Sequence, residues 1–293
     1  MTALTGRPLR IGTRKSPMAL AQTEHVRAPL RQLDPALTTE AVPIETEADI
    51  WQGGLAQLGG KGMIVRAIDV QLQRGDIDMA IHCLRDVPGD IPLPEGLVIA
   101  AMLPRGDVRD VLVVPEGSDV KRLEDLPADA LVGSSSVRRK AQINRARLDL
   151  QVVRIRGTVG TRLDKMDGTK PMDAEMSAMV LASSGLERLG LTDRARHVFE
   201  PDEILPAVGA GVLALECRRD DADVPGLLLR LNDAKTQTEA TAERVRLHGL
   251  RGHGNSPITR YCVTDPTDNS PCAAWCSHGT DPSSSTPTSG ARA

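Results

Sequence analysis

A lone aspartate stands among arginines in the segment His82-Cys83-Leu84-Arg85-Asp86-Val87-Pro88. Three other segments share that character: residues 11–17, with Arg14 and Ser16; residues 134–139, with Ser136, Arg138 and Arg139; and residues 156–162, with Arg156 and Arg162. Each sets Gly, Ser or Thr beside Arg where an apolar, strand-like run ends. In an open α/β sheet such ends face the crevice where ligands bind. Guanidiniums converging there favour a phosphate or polycarboxylate, held by bidentate pairs. A carboxylate in the same crevice stabilises a developing cation, an effect that low dielectric magnifies. Each segment also has a plainer reading, because Asp caps turns and Ser caps helices. Recurrence at successive strand ends is what points to an anion site.

The elements that must position these residues alternate along the first two-thirds of the chain. Apolar runs at 9–13, 41–45, 77–82, 97–102 and 111–114 predict strands, and a second set comes at 131–133, 152–155 and 179–182. Helical spacing predicts helices over 17–33, 63–72, 137–147, 159–166 and near 186. The pattern is βα repeated in two blocks, so two α/β domains around a cleft are expected. A Gly-rich turn at 206–211 precedes a strand at 212–217 that returns the chain to the first domain. Helices are predicted over 225–231 and 239–250. The expected boundaries are 1–106 plus 206–229 for domain 1 and 107–205 for domain 2, followed by a segment at 230–265. Residues 266–293, rich in Ser, Thr, Pro and Gly, are expected to form an irregular tail.

Composition excludes several functions. In 293 residues there are one Phe, one Tyr and two Trp, too few for base-stacking platforms, and the net charge is −3. No nucleic-acid partner is expected. No uncharged apolar run is long enough to cross a bilayer, so no membrane partner and a cytoplasmic location are expected. Five cysteines do not read as a disulfide framework. Residues 59–62 lack the full phosphate-loop pattern and read as a loop whose Lys61 reaches toward the cleft. Cys272, Cys276 and His278 lack a C-x-x-C pair, and no metal is expected.

Taken together, residues 9–265 resemble the porphobilinogen deaminase (hydroxymethylbilane synthase) family. The segments 11–17, 59–62, 82–88, 133–139, 156–162, 205–218 and Pro257-Ile258 fall in family order. The resemblance implies a cytoplasmic, monomeric transferase of tetrapyrrole and heme biosynthesis that condenses four porphobilinogen molecules with loss of ammonia. It implies that Asp86 is the catalytic carboxylate. It also implies that Arg14, Ser16, Lys61, Ser136, Arg138, Arg139, Arg156, Arg162 and Arg188 bind substrate and cofactor carboxylates.

The departures carry as much information. The family attaches a dipyrromethane cofactor through a thioether to a cysteine, and Gly254 occupies that position here. Glycine has no nucleophile, so the ordinary anchor cannot form. Arg85 stands for a usual lysine, Ile64 for phenylalanine, Ala210 for glutamine, and Ala48 where an acidic residue is expected. Cys83 replaces a usual serine; a relocated anchor and a small packed thiol are both open readings, the second the plainer. The alternative function is therefore a catalytically impaired relative that binds pyrrole carboxylates without efficient turnover. The resemblance also implies two doubly wound, periplasmic-binding-protein-like domains flanking a cleft, with 230–265 as a truncated third α+β domain that would leave the 254 loop poorly positioned.

Overall fold

The computed structural model describes residues 6–45, 62–171, 175–251, 257–264 and 274–276. Its first sheet is built from β1 (Leu9–Arg14), β2 (Thr39–Ile44), β3 (Met79–Cys83), β4 (Leu97–Met102) and, much later in the chain, β10 (Leu213–Arg218). The order is β2-β1-β3-β10-β4, with β1 parallel to both neighbours and β10 antiparallel to β3 and β4. The second sheet comprises β5 (Asp110–Val113), β6 (Leu131–Gly133), β7 (Gln151–Val153), β8 (Ala178–Ala182) and β9 (His197–Val198). Its order, β7-β6-β8-β5-β9, repeats the same scheme of three parallel strands and then an antiparallel insertion. The chain therefore crosses between sheets twice, after β4 and after β9.

Both faces of each sheet are covered, which explains why the strands read as nearly continuous apolar runs. In the second sheet Leu112, Val132 and Val180 pack on one side with Ile143, from the helix α3 (Val137–Ala146). Val111, Val113, Met179 and Leu181 face the other side, against Leu163 of α4 (Val159–Met166) and Leu186 of α5 (Ser183–Arg188). In the first sheet Leu9, Ile11 and Met79 pack on Val26 and Leu30 of α1 (Pro17–Leu33) and on Val224 and Leu228 of α6 (Val224–Leu229). The opposite face meets Ile68 and Leu72 of α2 (Gly62–Arg74).

Two differences from the sequence reading have physical causes. The last helix, α7, begins at Ala234 and runs to Gly249, five residues ahead of the predicted start. Asp233 caps it by accepting from Thr236 N at 2.7 Å, and its buried face is Thr236, Glu239, Ala240 and Glu243. A polar buried face hides the helix from an apolar-periodicity argument. The tail is also not wholly irregular: Ala274–Cys276 forms β12, antiparallel to β11 (Cys262–Thr264). An open strand edge recruits extended backbone whatever the flanking composition. Among the described residues no helix is long and apolar enough to cross a membrane.

Candidate active site

Asp86 closes a single 3₁₀ turn, Leu84–Asp86, that comes directly after β3. Leu84 is buried and its N–H donates to Val212 O at 3.0 Å, which stitches the turn to the Gly-rich loop. Asp86 itself is half-buried. Beside it, burial pushes the Arg85 guanidinium down, but Asp86, Cys83 and Asp110 outweigh that and leave it raised. Arg85 therefore links the first sheet, through Asp86 and Cys83, to the second, through Asp110. Cys83 Sγ in turn lies 3.1 Å from Gln22 Nε2, which donates to it from the buried face of α1.

The second sheet contributes most of the positive charge. Ser136 caps α3, accepting from Arg139 N, and so aims both arginines inward. Arg138 Nη2 donates to Asp110 Oδ2 at 2.5 Å and Nη1 to Leu205 O at 2.6 Å. Arg139 Nη2 donates to Asp110 Oδ1 at 2.6 Å and Nη1 to Val180 O at 2.9 Å. Burial pushes the Asp110 carboxyl up, yet Arg139 and Arg138 overcome it and hold it low. The next turn, capped by Thr158, starts α4 and carries Arg162, whose Nε donates to Gly157 O at 2.9 Å. Burial, then repulsion from Arg139, Arg85 and Arg156, lowers Arg162 to about 10. Arg156 is lowered by burial and by Arg154. Arg188 is lowered by burial and by Arg85, against the opposing influence of Cys83.

In Arg156, Arg162 and Arg188 burial and neighbouring guanidiniums weigh against the cation. Of the sequence-predicted residues, Asp86, Arg138, Arg139, Arg156, Arg162 and Arg188 share one electrostatic neighbourhood, with Arg85 at its centre. Arg14 ends β1, the strand next to β3, and Ser16 caps α1 by accepting from Ala19 N at 3.2 Å. Lys61 and Gly254 lie outside the described residues. Sequence reasoning missed Gln22 and Asp110, and treated Arg85 only as a substitution. Its place next to Asp86 was the available signal.

The crossing segments hold this neighbourhood in place. Gly209 and Gly211 have φ of +70° and +78°. A Cβ on Gly211 would overlap Gly106 O, so the two crossings touch backbone to backbone. Arg105 Nε donates to Ala210 O at 2.9 Å and its Nη1 pairs with Glu243 at 2.8 Å. Glu243 also accepts from Gly209 N at 2.7 Å and Cys262 N at 3.0 Å. Arg244 donates to Val87 O at 3.1 Å and Pro88 O at 2.7 Å, which clamps α7 onto the residues just after Asp86.

Two three-layered α/β units joined by two crossings, with a carboxylate turn and several arginines gathered beside the crossings, define the class of this protein. A family model described as "Porphobilinogen deaminase, dipyromethane cofactor binding domain" matches residues 9–225. The chain is 46% identical over 257 residues to porphobilinogen deaminase 2 of Streptomyces coelicolor, covering 88% of this chain and 80% of that one. The chain belongs to the porphobilinogen deaminase family. Among solved structures, the methionine binding protein MetQ is similar at 14% identity and a TM-score of 0.46, over 85% of this chain and 97% of that one. An ancestral cationic amino acid solute binding protein is similar at 15% identity and a TM-score of 0.45, over 84% of this chain and 96% of that one.

Proposed function

We propose that the chain is a monomeric, cytoplasmic hydroxymethylbilane synthase in which Asp86 stabilises the positive charge that develops as ammonia leaves porphobilinogen. The observation that carries this reading is the arginine cluster around Asp86, with Arg162 lowered to about 10 by burial and by like charges. Arg14, Ser16, Lys61, Ser136, Arg156, Arg162 and Arg188 are assigned to the carboxylates of substrate and cofactor. Arg138 and Arg139 are assigned to the same carboxylates through their buried Nε atoms, which have no hydrogen-bond partner among the described residues, while Asp110 fixes their forks. The units 1–106 plus 206–229 and 107–205 close over the ligand about the two crossings, with residues 230–265 as the third domain.

The cluster fits dipyrromethane, because its crowded cations match the acetate and propionate carboxylates of that group. When bound, dipyrromethane supplies the pyrrole end to which each porphobilinogen is added. The chain's own residues bind carboxylates, exclude water from the crevice and hold one negative charge at Asp86, where shielding strengthens its effect. Gly254 offers no thiol, so retention between condensations falls to the arginines.

The test is turnover of porphobilinogen, followed as ammonia release and as pyrrole colour with an aldehyde reagent. Asp86→Asn keeps the shape and removes the charge. It should lower turnover by about 10²-fold or more and leave porphobilinogen binding within a few-fold. Near-parental turnover by Asp86→Asn would remove that residue from the chemistry, and absence of turnover in the parent would defeat the reading.

A further inference from the structure

Beneath the Asp86 turn, on the α2 face of the first sheet, three titratable side chains meet that the proposed mechanism does not use. The register pairs Ala214 with His82 and Glu216 with Ala80, so His82 and Glu216 are diagonal neighbours on one face. Asp69 comes down onto that face from α2, beside Ile68. His82 Nε2 and Glu216 Oε2 are 2.8 Å apart. The ligand-capable atoms of all three residues lie within 4.8 Å of one another. Asp69, His82 and Glu216 are only 5%, 5% and 1% exposed.

Two polar atoms in this cluster have no hydrogen-bond partner: Asp69 Oδ1 and Glu216 Oε1. A buried, unsatisfied carboxylate oxygen is expensive, and here two of them belong to carboxyl groups that meet at the His82 ring. One divalent cation would satisfy both oxygens. Asp69 also lines a cavity of about 580 Å³ between α2 and the 88–94 segment, with Val65, Arg66, Pro88 and Ile91. That cavity is an entry path and room for a water ligand.

We propose that Asp69, His82 and Glu216 bind one divalent transition-metal cation of the Zn²⁺ class, with the fourth position open to this cavity. One imidazole and two carboxylates suit zinc, whose ligands sit at ~2.0–2.2 Å and therefore ~3.3 Å from one another. Reaching that spacing takes side-chain adjustments of about 1 Å. The ion would tie α2 to β3 and β10, close in sequence to the Asp86 turn. The expectation of no metal rests on the tail cysteines; here two of the ligands are 134 residues apart, and no spacing rule reveals them.

The experiment uses the full chain, stripped with chelator and titrated with Co²⁺ alone and then with Zn²⁺ alone. One equivalent of Co²⁺ should bind with visible d–d bands and no sulfur charge-transfer band, Zn²⁺ should displace it, and the melting temperature should rise with metal. Asp69→Asn and Glu216→Gln, which keep shape, should each weaken that binding at least about tenfold. Should either variant fail to fold, the parent's Co²⁺ spectrum decides. Failure of the parent to bind a stoichiometric ion, so that the cluster holds protons only, overturns the proposal. So does a thiolate spectrum, which would place the ion on the tail cysteines, or binding that survives both substitutions.

Discussion

Arg162 and Asp110 represent opposite uses of charge in one crevice, and substitution separates them. Arg162 sits among Arg139, Arg85 and Arg156 and is charged against their repulsion. Arg162→Gln should therefore leave the melting temperature of the free protein unchanged or raise it. Affinity for porphobilinogen should fall about 10- to 100-fold, the worth of one charge-assisted pair. A clear loss of stability in the free protein would mean that Arg162 is structural. Asp110→Asn does the reverse, because it strips the shared partner from two buried guanidiniums. Breaking such a pair costs about 3–5 kcal/mol, so the melting temperature should drop on the order of 10 °C. A drop of only a degree or two would show that the carbonyls of Leu205 and Val180 suffice to hold the forks. At this scale Asp86 and the arginines are legible as residue types at strand ends. Asp110 is not, because it lies 28 residues from Arg138 and a buried aspartate opening an apolar run looks like a turn residue. Asp69 and Glu216 are hidden for the same reason: each sits in an apolar or helical pattern that explains it adequately until the strands are registered.

Apolar runs and Gly, Ser or Pro end signals locate every strand of the two five-stranded sheets but β9, because both sheets are covered on both faces, while the three-residue β11 and β12 are not foreseen. β9 escapes because two residues, His197–Val198, are too short to show a period. Two elements carry testable consequences. In the Gly-rich loop, Gly211→Ala meets both a left-handed backbone and the Gly106 carbonyl, which the new Cβ would overlap. The left-handed conformation alone costs about 1–2 kcal/mol, and backbone cannot move aside as a side chain can. The variant should melt several degrees lower and lose turnover out of proportion to stability, because the strain falls between the two crossings. Unchanged stability would mean the crossings do not need contact. Just ahead of β3, burial pushes Asp78 up, but hydrogen bonds from Arg10 of β1 and from Arg7 outweigh it and bring it to about 2. Its ordinary value is near 3.9. The stabilisation is therefore complete above about pH 4 and is lost as pH falls through 2. Denaturation followed between pH 5 and 2 should show this slope in the parent and a shallower one in Asp78→Asn, which is also less stable at neutral pH. Equal slopes in both proteins would place the acid sensitivity elsewhere.

At the scale of the whole molecule, the question is whether the segment after α7 presents residue 254 to the proposed site. Composition argues against it, since a Ser/Pro-rich tail cannot supply a core, and a loop without support would leave any restored thiol free. The flanks of that loop argue otherwise. On its N-terminal side Arg244 is bonded to Val87 and Pro88, and His248 Nδ1 lies 3.2 Å from Gly89 O. On its C-terminal side β11 is tied back to α7, with Glu243 accepting from Cys262 N and Glu239 from Thr264 N at 2.8 Å. Arg105 closes the node from the first crossing, 2.8 Å from Glu243 and stacked 5.0 Å over the Tyr261 ring. These ties hold the described residues on both sides of the loop to α7, to the first crossing and to the residues just after Asp86, and β12 adds a further tie to β11. Gly254→Cys alone should therefore acquire a covalent pyrrole adduct when incubated with porphobilinogen, seen as a mass increase at that position, and should hold its growing chain through successive condensations better than the parent. Glu243→Gln in the Gly254→Cys background should lose the adduct while keeping the thiol, because it releases the loop and leaves the nucleophile. A thiol that stays free and unmodified at position 254 in the single variant would show that the clamp does not reach the loop and does not position the anchor.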